Sequence, residues 1–143
     1  EECESDLFTE GAVVWGAVPE ILVAGFETLD DAGISPEVAF LECVGELKLI
    51  AELIEARGIA GMREAISNTA ELGAVLGGPR IVDDHVRKRM REVLADVRSG
   101  RFAQQLKAEA DAGYPVLEKA RMSARDRKVE RVFNELRKLS RTP

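Results

Sequence analysis

The 143 residues predict an all-α protein. Apolar residues recur at helical rather than alternating spacing along the chain. Ser, Asp, Pro and Gly fall where helices would begin and end. No stretch alternates β-branched residues as a strand would, and no repeat or low-complexity linker interrupts the pattern. One chain of this length fits a single domain of seven or eight helices, with a core large enough to need no staples.

Ser5 or Asp6 opens a first helix, which carries Asp6 and Glu10 in its first turns. Gly11-Ala12-Val13-Val14-Trp15-Gly16-Ala17-Val18 has no polar side chain, so it should be covered on every side. Pro19 marks a kink or a fresh helix start, and the helix then runs through Leu29 to Gly33 at its C-terminal end. Ser35 caps a helix whose first residue is Pro36 and which extends to Glu55, with Gly58 placed to end it. The small residues Gly58-Ile59-Ala60-Gly61-Met62 suit close helix approach. Ser67 can cap a further helix, and Gly77-Gly78-Pro79-Arg80 reads as a break without the spacing of a phosphate loop. Asp83 or Asp84 caps the next helix, which ends at Gly100. A short helix around Phe102–Leu106 leads to the break at Gly113-Tyr114-Pro115, and Val129, Val132, Phe133 and Leu136 mark the last helix.

Charge and cysteine content narrow the function. The net charge is −6, with the acids concentrated in the first half and the bases in the second. The basic half has little aromatic interleaving, so it better suits packing near the acidic half or an anionic ligand than nucleic acid. Cys3 and Cys43 are too few for a disulfide framework and fit free thiols in a reducing cytoplasm. No uninterrupted apolar run approaches 18 residues and no leader pattern is seen, so neither a membrane span nor secretion is indicated. The start at Glu1-Glu2-Cys3, without Met, suggests a piece of a longer protein. His85 is the lone histidine and reads as solvated rather than metal-binding.

The chemistry lies in four acids. At about 100° per residue, Glu42, Glu46, Leu49 and Leu53 share one stripe, so two carboxylates begin a face that continues as core leucines. Asp6, Glu10, Val13 and Ala17 repeat the arrangement. Carboxylates turned toward a core must be neutralised, paired or bound to metal. Four hard oxygen donors without a His or Cys pair suit Mg²⁺, Mn²⁺ or Ca²⁺, and rigid helical placement favours Mg²⁺. They could neutralise two such ions. A ferritin-like di-iron site needs Glu-x-x-His, which is missing, and a glycosidase pair would explain only two of the four.

Six ordered blocks carry a family resemblance: Asp6-Leu7-Phe8-Thr9-Glu10, Ala24-Gly25-Phe26-Glu27-Thr28-Leu29, Glu42-Cys43-Val44-Gly45-Glu46-Leu47-Lys48-Leu49-Ile50, Gly58-Ile59-Ala60-Gly61-Met62, Ile66-Ser67-Asn68-Thr69-Ala70-Glu71 and Gly78-Pro79-Arg80-Ile81. Together they resemble the C-terminal helical domain of class I ketol-acid reductoisomerase, closely over the first three-quarters of the chain and loosely in the last helix. The resemblance implies a figure-of-eight knotted domain in an intertwined homodimer. It also implies two Mg²⁺ ions, a 2-acetohydroxy acid substrate such as 2-acetolactate, and NADPH bound by an N-terminal Rossmann domain that these residues do not contain. It assigns Asp6 as a ligand bridging both metals and Glu10 as a ligand to one. Glu42 and Glu46 would serve the second metal and the substrate from the partner subunit, with Glu46 catalytic, and Ser67 would hold the substrate carboxylate. Five residues at four places depart from the family pattern. Gly11 replaces Gln, Trp15-Gly16-Ala17 replaces Cys-Gly-Gly, Gly45 replaces His and Leu72 replaces Tyr. The competing expectations are a stand-alone knotted dimer with a structural or metal-binding role and, more distantly, a basic-tailed nucleic-acid binder.

Overall fold

Helix signals dominate the sequence, and helices are what form. The computed structural model describes residues 1–139 and, among them, contains no strand. Nine α-helices follow in order: α1 (Glu2–Thr9), α2 (Ala17–Asp31), α3 (Pro36–Phe40), α4 (Leu47–Glu64), α5 (Asn68–Ile81), α6 (Asp84–Arg98), α7 (Arg101–Asp111), α8 (Pro115–Asp126) and α9 (Lys128–Leu139). Two π-helical turns, Glu10–Val14 and Leu41–Gly45, interrupt the α pattern.

Local chemistry sets most boundaries as expected. Ser35 and Ser67 accept hydrogen bonds from the backbone N–H groups of Val38 (3.4 Å) and Ala70 (3.2 Å), and Asp83 from that of Val86 (2.9 Å). Gly33, with φ 85°, ends α2. Four expectations need correction. The first helix begins at Glu2, three or four residues before the expected cap. Gly77-Gly78-Pro79 lies inside α5 and not in a break; Pro79 sits in the last turn, where the lost donor disturbs little of the helix beyond it. Gly58 does not end the helix begun at Pro36 but bends α4, with φ 67° and ψ 177°, and the helix resumes to Glu64. Helix α8 was not anticipated; the Glu109 carboxylate accepts from the N–H groups of Val116 and Leu117 at its start.

The chain divides into two units. One comprises residues 1–44 and 93–139, and its core is Phe26, Ala39, Val129 and Val132, joined by Val23, Leu29, Phe40, Val44 and Leu136. Thus α9 packs with α2 and α3. Phe40 and Phe133 lie 6.0 Å apart between ring centroids, and Arg137 stands over the Phe133 ring. Lys128 to Asp30 (2.6 Å) and Arg127 to Glu20 (3.3 Å) tie the start of α9 to α2. Such exposed pairs each contribute up to about 1 kcal/mol. Burial of Val129 and Val132, at about 1.5–3 kcal/mol each, dominates this docking.

The second unit, residues 45–92, holds α4, α5 and the first part of α6, and none of its residues is buried. Ile59, Leu72, Leu76 and Ile81 each remain more than 60% exposed. Apolar faces of this extent on helices mark surfaces that are normally covered by something else.

The run Glu2–Asp31 is long and apolar enough by length and composition to cross a membrane. Glu20 interrupts the apolar residues without interrupting the helix. A core helix meets the same criterion but is mostly buried, whereas only 6% of this run's apolar window is buried within the chain.

Gly58→Ala should destabilise the protein by about 1–3 kcal/mol, because its backbone lies in a region essentially reserved for glycine. A lowered urea midpoint with an unchanged slope would show the effect, and an unchanged midpoint would refute it.

Candidate metal and substrate site

Each acid pair is built where a helix changes its winding. Asp6 lies in α1, and Glu10 follows it by one α turn, with the Glu10 N–H bonded to the Asp6 carbonyl. Glu10 then opens the first π turn, which closes when the Trp15 N–H donates to the Glu10 carbonyl at 3.2 Å. Glu42 lies within the second π turn, and Glu46 directly follows it as the N-cap of α4. π turns are rare and occur often at functional sites, because one extra residue re-aims every side chain that follows.

This winding corrects the stripes drawn from the sequence. A constant step of about 100° per residue does not hold through a π turn. Val13 and Ala17 therefore do not continue the face of Asp6 and Glu10 as projected, and Ala12 is the buried residue of that turn. Likewise Leu49 is 52% exposed and does not extend a buried stripe from Glu42 and Glu46. All four carboxylates are exposed within the chain, contrary to the inward placement expected of them. Among the described residues, no three His, Cys, Asp or Glu side chains come together as a metal site requires.

The donor chemistry still fits a hard divalent cation. The candidates are all carboxylates, and their four negative charges match two such ions. Glu42 sits beside Cys43, whose sulfur lies where a Cβ on Gly25 would meet it at 3.2 Å. Burial, and then the Glu42 charge, push the Cys43 thiol above its ordinary value. Gly16 is needed for the first π turn, since a Cβ there would run into the Gly11 carbonyl oxygen.

Ser67 is exposed at the start of α5. Its hydroxyl oxygen accepts from Ala70, which leaves the O–H proton free to donate to an anion at that helix N-terminus. His85 is exposed on α6, as expected. The sequence reading missed the two π turns. The only local hint was glycine near each: Gly11 and Gly16 around the first, Gly45 at the end of the second.

The whole chain resembles known proteins. A family model described as "Ketol-acid reductoisomerase, C-terminal domain" matches residues 1–142. A solved structure, described as an NADH-preferring ketol-acid reductoisomerase from an uncultured archean, is 42% identical with a TM-score of 0.93. The alignment covers 96% of this chain and 42% of that one, so the chain spans less than half of that protein's length.

Cys43 should be alkylated more slowly than exposed Cys3 at pH 8. A raised thiol pKa keeps the reactive thiolate scarce until the pH climbs further. The sign for stability follows: holding the thiol protonated costs nothing at low pH, and stability declines as pH rises past the thiol's ordinary value. Glu42→Gln should speed Cys43 alkylation by removing the nearby charge. Equal rates for both cysteines, unchanged by Glu42→Gln, would contradict this.

Proposed function

Because the chain belongs to the ketol-acid reductoisomerase family as its C-terminal domain, we propose that it supplies the divalent-metal and substrate half of that enzyme, in branched-chain amino-acid synthesis. The observation that carries this reading is the coincidence of both acid pairs with the two π turns. Winding that departs from the α-helix in two places, each time at a carboxylate pair, favours a shared task over scattered surface acids.

In this reading Asp6 and Glu10 of one chain would hold the divalent ions together with Glu42 and Glu46 from the partner subunit of a homodimer. Among the described residues no three carboxylates meet within one chain, and residues 45–92 leave their apolar faces open, which supports a two-chain site. The dimer would be the intertwined, figure-of-eight knotted form that the family resemblance implies. When bound, two divalent ions supply Lewis-acid polarisation of adjacent carbonyl and hydroxyl oxygens. Ser67 donates its O–H to the carboxylate of a 2-acetohydroxy acid and fixes its direction. Glu46, exposed directly after its π turn, would take the proton from the substrate hydroxyl as the alkyl group leaves that carbon for the adjacent carbonyl carbon, and return it to the oxygen that becomes the new hydroxyl.

Reduction would draw on a nicotinamide cofactor held by an N-terminal Rossmann domain, which has no counterpart in residues 1–143. NADPH is the cofactor that the sequence resemblance implies. The archean relative is described as NADH-preferring, and the described residues carry no strand-to-helix glycine turn to decide between the two. A soluble cytoplasmic setting fits this role, with neither membrane nor nucleic acid as partner.

Two outcomes test the proposal. Mg²⁺ should raise the melting temperature by mass action, and either Asp6→Asn or Glu42→Gln should remove that increment while leaving helical content intact. An increment that survives both substitutions would exclude these residues as ligands. Second, this chain with Mg²⁺, 2-acetolactate and NADPH should show no cofactor oxidation, because nothing holds the nicotinamide against the substrate. Turnover should appear when a separately produced cofactor domain is added. Turnover by this chain alone, lost in Glu46→Gln, would show that the cofactor domain is dispensable.

A further inference from the structure

Glu42 is exposed in the second π turn, but its close neighbours in the chain are packed. Phe40, just before the turn, and Val44, inside it, both lie against the core of Phe26, Ala39, Val129 and Val132. Cys43 adds a third anchor, since its sulfur would lie 3.2 Å from a Cβ on Gly25 of α2. Anchors this close in sequence fix how far the chain is rotated about its helix axis, and that rotation aims Glu42.

The helix α9 meets this segment through Phe133. Its ring lies 6.0 Å from that of Phe40, centre to centre, and is tilted by 34°. Arg137 stands over the Phe133 ring at 5.8 Å, a cation–π contact that favours its placement. Phe133 stays 37% exposed, so it serves the core less by burial than Val129 and Val132 do. Beside the ring runs a groove of about 300 Å³, lined by Phe40 and Val44 and, from α9, by Val129 and Phe133. That space would let the turn rotate once the ring is gone.

We propose that Phe133 is a positioning residue: by packing on Phe40 beside the second π turn, it fixes the aim of the Glu42 carboxylate at a divalent ion. The proposal rests on the metal reading above and deepens it, giving α9 a part in a site to which it contributes no ligand. The required precision is small in angle. A rotation of about 10° carries a side-chain tip about 5 Å from the helix axis through about 1 Å. Mg²⁺ demands near-ideal octahedral geometry at about 2.1 Å and tolerates no such displacement.

The test follows Mn²⁺ binding to the 143-residue chain by electron paramagnetic resonance, with urea midpoints and helical content measured beside it. Phe133→Ala should weaken binding by about tenfold, in the range found when supports of metal ligands are removed. Phe133→Leu, which keeps an apolar side chain against Phe40, should recover most of that loss. Leu29→Ala is the control, because Leu29 packs on the same core but does not line the groove. It should lower the urea midpoint at least as far as Phe133→Ala and leave Mn²⁺ affinity within about twofold. Affinity unchanged in Phe133→Ala would overturn the assignment. So would equal losses of affinity in Leu29→Ala and Phe133→Ala, because the ring would then act only through overall stability. If Phe133→Ala loses its helical content, Phe133→Leu and Phe133→Val decide: affinity falling with side-chain size supports the assignment, and wild-type affinity in both overturns it. Failure of the wild type to bind Mn²⁺ at all would instead overturn the metal reading on which the assignment rests.

Discussion

Apolar side chains on a helix stabilise a fold only where something covers them, and this chain covers few of its own. Phe26, Ala39, Val129 and Val132 form the one buried cluster among the described residues, with Ala12 buried apart from it. At about 25 cal/mol per Å², burial is the main force available to hold helices together. The helices of residues 45–92 have the apolar faces but not the burial. Cover from a second chain would supply it, and the same closure would bring Glu46 and Ser67 of one chain toward Asp6 and Glu10 of another. Stability and catalysis would then depend on one event, which is the sense in which we propose that the domain works as a dimer.

The π turns would give that event its chemistry. A helix with an extra residue in one turn gives up regular hydrogen bonding locally, and such a defect persists where the re-aimed side chains are useful. Here Glu10 opens one such turn and Glu42 lies inside the other. Glycine makes the first turn possible: the Gly16 backbone passes too close to the Gly11 carbonyl for any other residue. Cys43, packed against Gly25 next to Glu42, fastens the second turn to α2.

Much of this was legible in the sequence. Ser35-Pro36, Ser67 and Asp83 announced their helix starts through side-chain oxygens and a preset φ, both local properties. The spacing of Val129 and Val132 identified the face of α9 that meets the core. The four acids stood out because their types and pairing are chemical facts that need no coordinates. What escaped was their orientation. Projection at a fixed step assumes regular winding, and no propensity marks a π turn as a capping serine marks a helix start. Pro79 misled for a related reason, since a helix tolerates the lost donor near its end. The exposure of Asp6, Glu10, Glu42 and Glu46 within the chain escaped with their orientation, because it follows from that winding.

A complementation measurement tests the two-chain site most directly. Chains carrying Asp6→Asn and chains carrying Glu42→Gln are unfolded together and refolded as a mixture, and Mn²⁺ binding is followed by electron paramagnetic resonance. Each variant alone should bind little. If Asp6 of one chain and Glu42 of another share a site, random pairing should restore about a quarter of the wild-type capacity, because half the dimers are mixed and each mixed dimer has one intact site of two. No restored binding, in a mixture shown to exchange subunits, would contradict a site shared between chains.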